Sequence, residues 1–339
     1  MRKARRIGFG IGLAATLACA APAAADPVLL RMAVAAPDGT AWAREIRAFA
    51  RDVEGLTGGA VRMKWYFGGI AGDELTVADR IRREQLDGAI SGGMLCQRLA
   101  PSMRVMRVLG LVTDRDEAAY VISRLKPTID REMQERGFTN VVEGGLGPDT
   151  LFSRDRIASM DDLRRSRPWV WDLEDTLQMQ LAELGVRPVA LPLDAAARAY
   201  DDGRLDGFLA APTAALAWQW SAQSRYVSDL PVAFLVACLV IANRSFDPLP
   251  IEAQQGIRAA AAKLQARFED LGRTQDRALL HGLFARQGLV PIAVSDEFRA
   301  GFLSAARAAR DRLGDKLVPP PLVDRVTQML EDYRKEHQR

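Results

Sequence analysis

Histidine and cysteine are scarce in this chain of 339 residues, which has two His and three Cys. His281 and His337 both sit in helix-like contexts, with no Cys or His at ligand spacing beside them, so no metal site is legible. The same scarcity argues against a hydrolase built on a nucleophile–histidine pair. Paired carboxylates could still do acid–base work, but only Asp149 and Asp172 offer themselves for it. Gly68-Gly69 is followed by no Lys-Ser/Thr and reads as a turn, not a phosphate cradle. Long apolar runs are missing beyond the N-terminus. The most apolar one, Val232 to Ala242, is about eleven residues, the length of a buried strand and too short to span a bilayer.

A strongly basic surface is missing too, despite the formal charge of +3. The first 25 residues carry four basic and no acidic side chains, which leaves 42 basic against 43 acidic residues in the remainder. The excess belongs to the N-terminus, and no nucleic-acid partner is indicated. There, Arg2, Lys3, Arg5 and Arg6 precede an apolar stretch from Ile7 to Ala21 and then Ala23-Ala24-Ala25. This order is that of a secretory signal cleaved after Ala25, and it implies an exported protein. Arg5-Arg6 hints at twin-arginine export and Cys19 at a lipoprotein, although Thr16 stands where a lipobox has Leu. Cys96 and Cys238 could then form one bridge in an oxidising compartment. Their apolar neighbours favour buried free thiols instead.

What remains is a regular alternation of strands and helices. Val28–Ala35 is strand-like and leads through Pro37-Asp38-Gly39-Thr40 into an amphipathic helix carrying Trp42, Ile46, Phe49 and Val53. Val61–Tyr66 alternates as a second strand, in which Trp65 reads as core. Asp73 or Thr76 caps the next helix, and Gly88–Ser91 is a third strand. Such alternation predicts an α/β sheet covered by helices, and about 314 residues predict two lobes instead of one core. Leu86-Asp87-Gly88 and Leu205-Asp206-Gly207 end a helix and enter a strand in the same way, which suggests that the lobes are similarly built. Arg258–Arg286 reads as a long helix running along both lobes. Pro319-Pro320-Pro321 reads as a rigid spacer before a charged amphipathic helix, Leu322–Glu336, free to dock a partner.

Trp169 and Trp171 flank Val170, so on a strand both indoles face one side. They are core filler or the wall of an apolar pocket. Trp218 and Trp220, read as helical neighbours, cannot share a face, so at most one of them would line a cleft.

From about Leu29 to Phe302 the chain resembles the solute-binding receptors of tripartite ATP-independent periplasmic (TRAP) transporters, the DctP-like family. The resemblance is carried by Ala36–Trp42, Phe67–Glu74, Gln85–Gly88, Met160–Leu163, Leu184–Val189, Asp202–Gly207 and Tyr226–Asp229. It implies a two-lobed periplasmic-binding-protein clamshell with a long helix bridging both lobes, without enzymatic chemistry or cofactor. The chain would divide into a signal (1–25), lobe I (26–146, completed by about 232–262), lobe II (147–231, completed by about 263–318) and the tail (319–339). The partners implied are a small-molecule ligand and the TRAP membrane permease. Laid on this pattern, the Arg that clamps a substrate carboxylate falls on Trp169, and a second Arg common in relatives falls on Asp149. A Glu and a Tyr fall on Ala195 and Ala197, and an acidic or amide residue falls in Leu209-Ala210. A pocket for a small acid cannot lose its cations and keep its affinity. The chain is therefore more similar to receptors that lack this Arg and are associated with a periplasmic tetratricopeptide-repeat protein. An apolar, aromatic or lipophilic ligand is expected among Trp42, Phe67, Asp149, Phe152, Trp169, Trp171, Leu209 and Trp218, with Phe208 nearby and no basic residue at the centre. The alternatives are a small organic acid held by a non-standard cation, for which Arg164, Arg165 and Arg167 are candidates, and a signalling or scaffold receptor.

Overall fold

The computed structural model describes residues 26–337, the side chains of Arg277 and His281 apart, so the expected signal and its cleavage after Ala25 lie outside the described residues. Ten strands follow in chain order: β1 (Val28–Val34), β2 (Val61–Tyr66), β3 (Gly88–Ser91), β4 (Phe138–Ser153), β5 (Pro168–Trp171), β6 (Val189–Leu191), β7 (Gly207–Ala210), β8 (Tyr226–Ser228), β9 (Ala233–Ala242) and β10 (Val290–Ile292). They hydrogen-bond in the order β2-β1-β3-β9-β4-β7-β5-β6, with β8 beside β4 and β10 beside β8. The pairs β1/β2, β1/β3, β5/β6 and β5/β7 are parallel, whereas β3/β9, β9/β4 and β4/β7 are antiparallel. The first lobe is thus β2-β1-β3 against β9, and the second is β6-β5-β7 against β4. It is one plan used twice.

The twin Leu-Asp-Gly turns are the local cause of that repetition. Asp87 accepts the backbone N–H of Arg31 in β1 at 2.8 Å, and Asp206 accepts that of Arg167, just before β5, at 2.8 Å. The next residue must be glycine in both. A Cβ on Gly88 would come within 2.3 Å of the Val240 carbonyl, and one on Gly207 within 2.7 Å of the Phe152 carbonyl. Each carboxylate therefore ties its own strand to the first strand of its lobe, and each glycine lets a neighbouring strand approach.

β4 and β9 pass from one lobe to the other. They pair from Phe138↔Ala242 to Asp149↔Ala233, with register shifts between Asn140 and Val142 and between Gly145 and Gly147, where the extra residues bend the ribbon. Helices cover both faces and bury Phe49, Phe246 and Phe234 in lobe I and Phe152, Phe208 and Phe302 in lobe II. Each such side chain contributes roughly 1.5–3 kcal/mol relative to an exposed one. The long helix begins at Ile251, after Pro250, earlier than Arg258. It runs to Ala278 and continues through a π-helical turn at Leu279–Leu283 into Phe284–Arg286. Its Ile257 and Leu264 pack into lobe I, whereas Leu279 and Phe284 pack into lobe II.

Two expectations are overturned. Cys96 and Cys238 are not free thiols but a disulfide, with Cα atoms 5.8 Å apart and 142 residues between them in sequence. The β3/β9 pairing sets Cys238 opposite Ser91, and the helix that follows β3, Met94–Leu99, carries Cys96 back over it. Apolar neighbours report burial and cannot distinguish a thiol from a bridge. The prolines, moreover, are no spacer. Pro320 and Pro321 form the first turn of the helix Pro320–His337, where a missing N–H is harmless. Its Val323, Val326 and Leu330 are buried in the lobe I core, Tyr333 packs on Tyr120 at 4.9 Å, and Arg334 pairs with Glu117. The terminal helix is part of lobe I.

Candidate functional site

A cavity of about 110 Å³ lies between the lobes, where β1, β3, β5 and β7 end beside the crossing strands. At roughly 10–15 Å³ for each water-sized position, it has room for about ten non-hydrogen atoms. Lobe I supplies Val34–Ala36, Trp42, Ile46, Glu74 and Ile90–Gly92. Lobe II supplies Trp169, Trp171, Glu174, Leu209, Trp218 and Trp220, and Leu146, Asp149 and Leu235 close the floor.

Five of the six tryptophans line this space. Trp169 and Trp171 lie on one side of β5, and Val170 packs into the opposite core, as strand alternation requires. The Trp169 indole N–H donates to the Leu191 carbonyl at 3.0 Å, so its ring is fixed with its polar edge satisfied. Trp220 lies 4.9 Å from Trp169 and stacks on Phe208 at 4.8 Å. Trp218 and Trp220 both line the cavity, against the expectation that a helix would separate them. Gln219 between them is left-handed (φ 61°) and breaks the helix after Ala217, so the two indoles stack at 5.8 Å. Trp42 reaches over from lobe I to within 5.8 Å of Trp218, closing an aromatic wall across the cleft.

Leu209 and Asp149 also face the cavity, but Phe67 and Phe152 do not. Phe67 follows β2, the outermost strand of lobe I, and packs away from the cleft under the Arg47 guanidinium at 4.4 Å. Phe152 is on the face of β4 closed by Phe284, edge-on at 5.7 Å. Phe208 lies one layer behind, stacked on Trp220. Trp65 is half-buried against the lobe I core, away from the cleft.

The polar end of the cavity was not legible in advance. Arg107 is only 3% exposed and holds two carboxylates. Its Nε and Nη2 donate to Glu174 at 2.7 and 3.0 Å, and its Nη1 lies 2.7 Å from Asp149 Oδ2. The Asp149 contact is too oblique for a good hydrogen bond and acts as an ion pair. Burial works against the guanidinium charge, but Asp149 and Glu174 outweigh it and raise its pKa above the ordinary value. Asp149 itself is pushed up by burial, against the pull of Arg107, and also accepts the Ala211 N–H. A third buried acid, Glu74, accepts from the Ser91 hydroxyl at 2.6 Å, from the Leu95 N–H at 2.9 Å and from Gly92 N–H. Burial raises its pKa too. The expected absence of a central cation is thus corrected, although the cation present is already occupied. Arg164, Arg165 and Arg167 are not cavity residues. They pair with Asp161, Asp162 and Asp206 at the surface.

Arg107 had one signal, a lone charge inside the apolar run Val105–Val112. Glu174 had none, since Asp172-Leu173-Glu174-Asp175 reads as a solvated helix start. The fold draws these groups together by docking Pro101–Arg107 on the helix Asp175–Glu183. There, Gln180 accepts from the Leu109 N–H and donates to the Arg107 carbonyl, both at 2.9 Å. Asp172, the other carboxylate considered for acid–base work, is outside the lining and exposed.

The cleft lies between two α/β lobes joined by crossing strands, an arrangement suited to enclosing a small ligand. The chain matches the bacterial extracellular solute-binding protein family 7 (DctP) over residues 32–316, and it belongs to that family. Solved structures share the fold. One is a TRAP periplasmic solute-binding protein from Bordetella bronchispeptica with density interpreted as pantoate, at TM-score 0.80 and 18% identity, covering 89% of this chain and 99% of that one. Another, from Haemophilus influenzae with bound L-gulonate, has TM-score 0.81 and 18% identity over 90% and 99%. A third, from Chromohalobacter salexigens with bound D-glucuronate, has TM-score 0.79 and 18% identity over 89% and 99%. Among the described residues no helix is long and apolar enough to cross a membrane.

Proposed function

We propose that this receptor captures an apolar or aromatic ligand in the cleft between its lobes and passes it to a TRAP membrane permease in the periplasm, after its signal is cleaved near Ala25. The observation that carries this reading is the lining itself: five indoles and aliphatic side chains around a space in which Arg107, the one cation among the described lining residues, is spent on two internal carboxylates. Burying ~200 Å² of ligand apolar area would supply about 5 kcal/mol. Trp42, Asp149, Trp169, Trp171, Leu209 and Trp218 would form the binding site, joined by Trp220. The lobes would divide in the middle of β4, near residues 146 and 147. A periplasmic tetratricopeptide-repeat partner also belongs to this reading.

The three solved relatives carry acids, and Arg107 makes an acid the second reading. To clamp a ligand carboxylate, Arg107 would have to release Asp149 or Glu174, leaving a buried anion unpaired at a cost of several kcal/mol. Native mass spectrometry of protein purified from its own periplasm tests the choice. A retained apolar molecule supports the first reading. Tight binding of gulonate or pantoate that is weakened by Arg107→Lys would replace it with the second.

A further inference from the structure

The cavity wall is aromatic and its polar end is over-supplied with negative charge. Three buried carboxylates (Glu74, Asp149 and Glu174) face it, and among the described lining residues Arg107 is the only cation. Glu74 is settled by four protein donors, the Ser91 hydroxyl and the N–H groups of Gly92, Met94 and Leu95. Asp149 and Glu174, by contrast, share one guanidinium, so the group of three carries one negative charge more than it can cancel internally. An uncompensated charge so deep is costly unless something positive joins it. Indole faces are electron-rich and attract cations, most strongly ones too poorly hydrated to prefer water.

We infer that the ligand is a cation with an apolar body, such as a quaternary or tertiary ammonium, whose charge sits against the tryptophan wall and is balanced by the excess carboxylate of the Arg107–Asp149–Glu174 group. This inference rests on the apolar-cleft reading and deepens it by giving the ligand a charge. Acids are disfavoured by the same arithmetic, because a ligand carboxylate would add a fourth anion to a space with one cation. The size agrees: a cavity of about 110 Å³ suits a compact body such as a benzyl or short alkyl ammonium.

Three probes of equal size separate the cases. Benzyltrimethylammonium is the cation, neopentylbenzene its neutral isostere, and 3-phenylpropanoate an acid of similar shape. Each is titrated into the full-length mature protein, following intrinsic tryptophan fluorescence. The cation is expected to bind at least about tenfold more tightly than the neutral isostere. Asp149→Asn should bring that ratio close to one. Glu174→Gln provides the same test if Asp149→Asn does not fold. Equal or tighter binding of the neutral probe overturns the inference and leaves the apolar reading standing. Tightest binding of phenylpropanoate overturns both, and so does binding of none of the three.

Discussion

Lobe I and lobe II begin with the same unit, two parallel pairs tied by a Leu-Asp-Gly carboxylate and leaned against a crossing strand, yet they bring different materials to the cleft. Lobe I presents small and aliphatic groups from the ends of β1 and β3, one acid sealed by its own backbone donors, and a single indole, Trp42. Lobe II presents four indoles and Glu174, which reaches back to Arg107. The scaffold is conserved between the halves because backbone geometry demands it. The walls differ because side chains at strand ends are free of that demand. The aromatic wall of the cleft therefore comes mostly from lobe II, whereas the disulfide and the terminal helix reside in lobe I.

The sharpest way to break this comparison is to remove the cation that joins the halves. Arg107→Met leaves Asp149 and Glu174 buried without a partner and should cost about 3–5 kcal/mol, read from urea unfolding. A loss below about 1 kcal/mol would show that the carboxylates shed their charge and that the polar end is softer than described. Next is the lobe I staple. Cys96→Ala should cost about 2–5 kcal/mol by the same measurement while leaving the native tryptophan emission, to which the four lobe II indoles contribute most, unaltered. A shifted native emission would mean that the disulfide also shapes the cleft.

The equivalence of the two scaffolds is tested by Gly88→Ala and Gly207→Ala. Both should lose about 1–3 kcal/mol through the close carbonyl each Cβ would meet. If only one does, the repeated turn is not the same device twice. The smallest effect concerns acid. Burial works against the Asp87 charge, but the Arg31 side chain and N–H outweigh it and hold the carboxyl below its ordinary range. The stability it contributes is present above the unfolded pKa and is lost as pH falls through the lower, folded one. Asp87→Asn should therefore flatten the loss of stability below about pH 4 in acid unfolding curves.

How much of this was legible in the sequence depends on the range of the cause. The α/β alternation, the twin turns, the long helix and the placement of Trp169 and Trp171 follow from local periodicity, and they stand in the structure. Phe67 and Phe152 failed as cavity residues because strand order, not spacing, decides which strand ends reach the cleft. Trp220 was excluded by helical spacing that Gln219 interrupts with one left-handed residue. Cys96 and Cys238 meet across 142 residues, and Arg107 meets Asp149 and Glu174 across 42 and 67, where only the assembled sheet says who is adjacent.

The sharing of β4 and β9 has a further consequence. β4 gives residues up to Asp149 to pairing with β9 and residues from Thr150 to pairing with β7, so each half borrows a strand that continues into the other. Neither half owns a complete set of edges, and a gene fragment encoding one of them would expose an unpaired ladder. Calorimetry of the intact chain should accordingly give one melting peak whose van't Hoff and calorimetric enthalpies agree. The molecule has no seam along which it could be divided.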